Sequence, residues 1–447
     1  MFAPKVNRVS VSEAPAQKGK TLGGETLSRK ALAGTTTPIG NVNGSWGGHS
    51  KGSAGYRRVL LALAFAGVAT FAQLYSVQGL LPLLSHDLQI SAAQAGLTVS
   101  AATIGLAITV LPWSFAADRF GRIRVMGAAI IAATVLGLLI PLSPNFPVLL
   151  GLRTLEGMAL GGIPALALAY LNEEINKLHA ALAAGAYVAG TTLGGLFGRL
   201  LAGPVGDVAG WRIGTLAVSV ASAGAAAAFL LLAPKPRGFS LVRNVGFGQA
   251  LRRLGPPLRD RRLLALYAQA FALMGCFVSV YNYLGFRLEA PPYLLPAAAV
   301  ALIFLAYLSG TFTSRWAAVL AGRTGRRKVL LGSIALMIGG LALTVLAPLT
   351  IILAGLVVFT AGFFAAHSIA SGWTGAITAS GRAQAASLYN LSYYAGSSFV
   401  GWASGVVFQS AGWPALVGSL ATLALAAGVA AVLLLPSGIP AKRPLPR

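Results

Sequence analysis

Arg153 and Glu156 stand three residues apart in LRTLEGMALGG, Leu152 to Gly162, within an otherwise apolar stretch. On a helix that spacing puts guanidinium and carboxyl on one face, within reach of each other. An ionised group inside an apolar layer is costly unless it is paired or hydrated. Burial favours the neutral carboxyl and the neighbouring cation favours the charged one, so two roles fit Glu156. It is a proton carrier balanced between the two forms, or half of a structural pair that pins its helix to its neighbours. The other nine of the ten carboxylates fall in tails, loops or helix ends: Glu13, Glu25, Asp87, Asp118, Glu173, Glu174, Asp207, Asp260 and Glu289.

A second kind of chemistry appears in AADRFGRIRV, Ala116 to Val125, and again in LAGRTGRRKV, Leu320 to Val329. In each, glycine permits a tight turn and arginines follow it. Asp118 belongs to the first copy alone, because Gly322 takes its place in the second. Asp118, Arg119, Gly121, Arg122 and Arg124, with Glu173 and Glu174 to receive an arginine, form a charged group at the membrane edge that reads either as a conformational latch or as a pure topology signal. The N-terminal end of the eleventh span, near Gln384, is a second candidate partner for Asp118.

The elements that must hold these groups are apolar helices. Of 447 residues, 56% are hydrophobic and 10% charged, against about a quarter charged in an ordinary soluble chain. Runs of about twenty apolar residues, enough for a bilayer core roughly 30 Å thick, recur from Val59 to Leu435. They predict an all-α, polytopic membrane protein with twelve transmembrane helices. The spans fall near 58–83, 92–116, 123–142, 147–171, 179–203 and 210–233, then 263–285, 296–319, 328–347, 350–374, 384–408 and 412–435. Residues 1–55 read as an unstructured tail, 56–233 as a first six-helix bundle, and 234–262 as a basic linker with one short surface helix. A second six-helix bundle covers 263–436, and a short tail 437–447.

An internal repeat supports this plan. Gly121 and Arg122 recur as Gly325 and Arg326. Tyr187, Gly190, Thr191, Thr192 and Gly195 recur as Tyr393, Gly396, Ser397, Ser398 and Gly401, and each set leads into the tripeptide AGW. The formal charge of +24 at first suggests nucleic acid. Its distribution does not: 29 of the 34 Lys and Arg fall in alternate loops and both termini. That bias places both termini in the cytoplasm of a multi-pass protein and leaves no nucleic-acid role. Cys276 is the only cysteine, which excludes an intramolecular disulfide and a Cys-based zinc cluster. The histidines His49, His86, His179 and His367 are scattered, and no HExxH, GxSxG or phosphate-binding loop is present, so neither an enzyme nor a cofactor or metal site is expected.

Several stretches resemble the major facilitator superfamily (MFS) over roughly residues 56–437, and within it the YnfM-type bacterial inner-membrane transporters. SFAADRFGRIR, Ser114 to Arg124, resembles the loop signature G-x-L-A-D-R-x-G-R-R/K, with Ser114 and Ala116 departing from it. LRTLEGMALGG matches R-x-x-Q-G except that Glu156 replaces glutamine. GTTLGGLFGR, Gly190 to Arg199, resembles the antiporter motif, with Gly195 where proline is usual and Arg199 at its last glycine. YLNEEI, FRLEAPP, FFAAHSIASGW and SLYNLSYYAGSS look like the YnfM type.

The resemblance implies two pseudo-symmetric six-helix bundles that rock about a substrate site near the midplane. It makes Asp118 and Arg122 part of a cluster that joins the halves when the protein faces outward, and it places helices 1, 4, 7 and 10 around the cleft. Their polar residues are Gln73, Tyr75 and Gln78; Arg153 and Glu156; Ser279 and Asn282; His367 and Ser368. Tyr187, Tyr393 and Tyr394 add aromatic contacts from helices 5 and 11. A mostly apolar cleft with few polar points suits an amphiphilic organic solute better than a sugar. His367 reads either as a neutral imidazole bonded to a neighbouring helix or as a titrating group. Gly157 and Gly161, and Gly190, Gly194 and Gly198, are spaced for close helix packing. Arg199 either faces a watery vestibule or snorkels to the interface, and the second is expected. The expected function is secondary active, proton-coupled export of a small amphiphilic solute by a monomer in the bacterial inner membrane. Uptake or uniport is the alternative, and a non-transporting sensor of the same fold a more distant one.

Overall fold

The computed structural model describes residues 46–239, 254–378 and 381–437. Eight helices among them are long and apolar enough to cross a membrane. Two of the eight, Lys177–Leu232 and Arg382–Leu434, each double back at a glycine with positive φ, Gly210 (φ 83°) and Gly412 (φ 73°). Counting each of these as a pair, and adding the interrupted fourth and the basic-ended ninth span, gives the twelve expected.

In chain order they are α1 (Ala54–Leu74), α2 (Ala92–Phe120), α3 (Arg122–Leu139), α4 (Phe146–Leu160 and Pro164–Glu174), α5 (177–209) and α6 (211–232). The second half holds α7 (Arg261–Glu289), α8 (Ala297–Thr324), α9 (Arg326–Leu343), α10 (Leu349–Ile377), α11 (382–411) and α12 (413–434). The capping box at Ser91 and Gln94 opens α2 as the sequence suggests.

Two spans differ from their expected course. The first stops at Leu74, passes Tyr75 and continues as a 3-10 segment, Ser76–Leu80, and a further helix, Leu81–Asp87. The fourth is interrupted at 161–163, where two glycines precede Pro164, which has no N–H to continue the ladder. Of the stretch 1–55, residues 46–53 pack on the loop after α4. The His49 N–H donates to the Glu174 carbonyl at 2.7 Å, the Asn176 N–H to the His49 carbonyl at 3.1 Å, and Ser53 caps α1. The expected surface helix of the linker is the short Gly255–Arg259. Residues 1–45, 240–253 and 438–447, which hold the rest of the tails and linker, lie outside the described residues.

Within each half the same pairs pack through small residues. A Cβ on Gly190, Gly194 or Gly198 of α5 would fall 3.0, 2.5 or 2.6 Å from the α1 backbone at Ala64, Val68 or Ala72. Gly396 of α11 meets the Phe271 carbonyl of α7 in the same way, at 2.0 Å. Gly157 of α4 and Gly161 just after its first segment lie so close to Ala102 and Thr109 of α2 that a Cβ on either would clash with them. Dispersion at such close approach replaces the hydrophobic drive that lipid cannot supply.

Gly121 and Gly325 carry the turns of the two basic loops at φ 92° and 98°, a region that only glycine enters without strain. These loops mark one end of the molecule as basic. Among the described residues, hydrogen bonds join the halves from the middle of the helices to the opposite end: Ser100 and Thr103 to Ser398, Gln78 to Asn282, and the Ala297 N–H to Asp207.

Candidate functional site

The end of α1 explains where Arg153 goes. When a helix stops inside an apolar layer, its last carbonyls lose their intrahelical partners and attract cations. Arg153, fully buried on α4, supplies one: Nη1 donates to the Gln73 carbonyl at 3.1 Å and Nη2 to the Leu74 carbonyl at 2.7 Å. Its Nε donates to the Thr98 carbonyl of α2 at 3.2 Å, and Nη1 also donates to Glu156 Oε2. One guanidinium thus joins α1, α2 and α4, and Glu156, 1% exposed, is its only carboxylate partner among the described residues.

The Gln73 amide is buried with neither polar atom hydrogen-bonded. It points at the same spot as Glu156. A Cβ on Gly137 would meet Glu156 Oε1 at 3.1 Å and Gln73 Nε2 at 3.2 Å. The carboxyl therefore sits beside a spare donor and a spare acceptor.

Gln78 and Asn282 meet between the halves, Nε2 donating to Oδ1 at 2.7 Å. Arg199 extends the chain, its Nε donating to Gln78 Oε1 at 2.8 Å. The sequence reading sent Arg199 to the interface. The structure instead buries it, 3% exposed, because Gly195 and Gly198 bring α5 close enough to α1 for the side chain to turn inward under Tyr75.

Tyr187 is buried with its hydroxyl unpartnered. His367 shares a hydrogen bond with Tyr389 of α11, Nδ1 to Oη at 3.0 Å, and its ring lies 5.0 Å from that of Tyr393, which touches Tyr394. Ser279 and Ser368 bond to backbone carbonyls of their own helices, and Ser279 also reaches the Val400 carbonyl.

Sequence reasoning missed the aromatic residues Phe277, Phe304, Tyr307 and Phe363 that line the second half of this region. The signal was present as ring spacing of four, Phe359, Phe363 and His367 on α10 and Phe277 and Tyr281 on α7. Below Tyr394, α2 and α11 enclose a small cavity of about 50 Å³ lined by Ala107, Val110, Leu111, Leu388 and Leu391. A larger groove of about 580 Å³ opens beside Trp316 between α8 and α9, with Ala361 and Ala365 of α10 at its floor, where lipid would fill it.

At the basic end Arg122 joins Asp118 at 2.7 Å and Glu173 at 3.1 Å. All three belong to the first half. Among the described residues no arginine side chain pairs with Glu174; its Oε1 accepts the backbone N–H groups of Arg237 and Gly238 at 2.6 and 2.7 Å. Arg119 lies over the Phe120 ring and Arg124 is exposed.

At the opposite end Asp87 accepts Trp211 Nε1 at 2.7 Å and Arg212 Nη1 at 2.5 Å, tying the region after α1 to the start of α6. The Trp211 hydrogen bond, aided by that of Arg212 and its charge, holds the Asp87 carboxyl below its usual range. A carboxyl depressed in the folded state stabilises above its unfolded pKa and loses that contribution as pH falls through the folded value. The half-exposed pair is solvent-screened, so Asp87→Asn should lower the melting temperature at pH 7 by no more than about 3 °C. Thermal unfolding in detergent against pH should show the difference shrinking as pH falls below the ordinary aspartate range and vanishing once folded Asp87 takes up its proton.

This arrangement, apolar helices in two repeated sets with an ion pair buried among α1, α2 and α4 of the first, is that of a polytopic membrane transporter. The model of the Major Facilitator Superfamily matches residues 63–318, and the chain belongs to that family. It is 42% identical over 365 residues, 81% of this chain and 87% of the relative, to the inner membrane transport protein YnfM of Escherichia coli (strain K12). It is 35% identical over 84% of its length to the MFS-type transporter YybF of Bacillus subtilis (strain 168), covering 93% of that protein. Among solved structures, a bacterial homologue of the human lysosomal transporter Spinster superposes with a TM-score of 0.67. That match covers 86% of this chain and 96% of the other at 18% identity, a likeness of fold. The chain is therefore a multi-pass membrane protein of a family of transporters, not of enzymes.

Proposed function

We propose that the protein is a secondary active transporter that exports a small amphiphilic organic solute in exchange for protons by alternating access. The observation that carries this reading is the buried Glu156, held by a guanidinium whose other partners are backbone carbonyls. Such a carboxyl can change charge without releasing Arg153, which a proton carrier requires. The bias of Lys and Arg puts the basic end, and with it both termini, in the cytoplasm of the inner membrane. The hydrogen bonds that join the halves from mid-helix to the far end support an inward-facing reading of this conformation. Asp118, Arg122 and Glu173 rest within the first half here and join the second when the cytoplasmic side closes. Both halves of the cleft belong to one chain, so a monomer suffices.

Reconstituted proteoliposomes under a pH gradient of either sign test the proposal. Each is screened with lipophilic cations, organic acids, neutral aromatic solutes and sugars. Solute should move against the proton flow. Movement with the protons would make the protein an uptake system, gradient-independent movement a uniporter, and binding without flux a sensor.

A further inference from the structure

We propose that Arg199 recognises the charged end of the solute, and that the solute is an aromatic organic monoanion, a carboxylate on a flat apolar body. The proposal rests on the transporter reading above. A guanidinium does not shed its proton in a protein, so Arg199 carries its charge wherever it is buried. Arg153, equally buried, has Glu156. Among the described residues no carboxylate lies within 4 Å of Arg199. Its hydrogen bonds go to neutral acceptors, Gln78 Oε1 and the Gly195 carbonyl at 2.7 Å. Three rings surround it, Tyr75 at 4.4 Å, Phe304 at 4.9 Å and Tyr307 at 5.0 Å. Cation–π attraction offsets only part of the cost of burying a charge.

A second group points the same way. Asn282 accepts from Gln78 through Oδ1, while its buried Nδ2 donates to nothing. The chain from Arg199 through Gln78 to Asn282 therefore ends on an unused donor, beside a cation that lacks its counterion. An anion supplies both missing partners, and the planar fork of arginine matches the two oxygens of a carboxylate. The repeat counterpart of Arg199 is Gly405, so the second half adds no second cation. One uncompensated charge fits a monoanion better than a dianionic phosphate.

The body of the solute follows from the wall beside Arg199. Tyr307 contacts Phe277 at 5.1 Å, Phe277 stacks on Phe363 at 3.9 Å, and Phe363 stacks on His367 at 5.7 Å. Tyr393 extends the row from His367. A continuous aromatic surface thus runs from the cation across the second half, and flat rings pack on it in offset or edge-on contacts.

Binding to the purified full-length protein in detergent, at fixed pH and without a gradient, separates recognition from coupling. The probes are 2-naphthoate, 2-naphthamide and 2-naphthylmethylamine, which share one flat body and differ in charge. Titration calorimetry should show naphthoate binding at least about tenfold more tightly than the amide or the amine. Arg199→Gln should bring naphthoate down to the level of the amide. Asn282→Ala, which removes the unused donor together with the Oδ1 that accepts from Gln78, should weaken naphthoate several-fold more than the amide, and it serves should the Arg199 variant not fold. Amide or amine binding as tight as naphthoate, undiminished naphthoate binding by folded Arg199→Gln, or no naphthoate binding by the wild type overturns the proposal. Binding of the amine alone would do so while leaving the transporter reading intact.

Discussion

Glu156→Gln abolishes pH-gradient-driven flux, to the background of protein-free vesicles, while the amount of protein in the membrane stays at the wild-type level. The first half of this expectation follows from position and burial: among the described residues Glu156, 1% exposed and paired to one cation, is the sole buried carboxylate away from a helix end, whereas the equally buried Glu174 sits at the end of α4 on two backbone N–H groups. Glutamine keeps the shape and removes the titration. The second half follows from Arg153, whose bonds to the carbonyls of Gln73, Leu74 and Thr98 survive the loss of the carboxylate. The Gln73 amide supports both charge states of Glu156, its N–H being available to a carboxylate and its oxygen to a protonated carboxyl. Exchange of labelled solute across vesicles without a gradient should persist in the variant, since that half-cycle moves no net proton. Coupled flux at the wild-type rate would leave Glu156 with a structural role only.

Much of this site was legible from spacing. Arg153 and Glu156 at i, i+3 announced a pair on one helix face, and the structure forms it. The glycines of α4 and α5 announced close packing because only their side-chain size and period matter. Gly121 and Gly325 marked matching turns because their position in a repeat is a property of the chain. What spacing does not reveal is direction across the bundle. Arg199 is compatible with an interfacial or an inward rotamer, and only the depth at which α5 sits against α1 decides between them. The break after Leu74 was hidden for a related reason. No proline or glycine marks it, and the cap that satisfies its carbonyls comes from Arg153, 79 residues later in the chain. Asp118 shows a third limit: spacing names the charges but not their partners, and here Asp118 pairs with Arg122, which also binds Glu173, all within one half.

Removing Arg153 should be the most destabilising single change in the first bundle, at about 3–5 kcal/mol for Arg153→Ala. Three losses coincide. Glu156 is left as a buried carboxyl without its counter-charge, the Gln73 and Leu74 carbonyls lose their donor at a helix end that water does not reach, and the Thr98 carbonyl loses its link to α4. Arg153→Lys should recover little, because one ammonium on a single stem cannot span carbonyls on two helices and a carboxylate in the geometry that the fork supplies. The double variant Arg153→Met, Glu156→Met separates the terms. It restores apolar bulk and eliminates the stranded charge while the carbonyls stay unpaired, so its melting temperature in detergent should lie above that of Arg153→Met and below the wild type. If the double variant melted no higher than the single one, the uncompensated carboxyl would not be a cost, and Glu156 would be taking up its proton whenever the cation is absent. That outcome would locate the stability of the α1 break wholly in the backbone carbonyls, and Arg153→Gln, which keeps an amide donor, would then recover most of it.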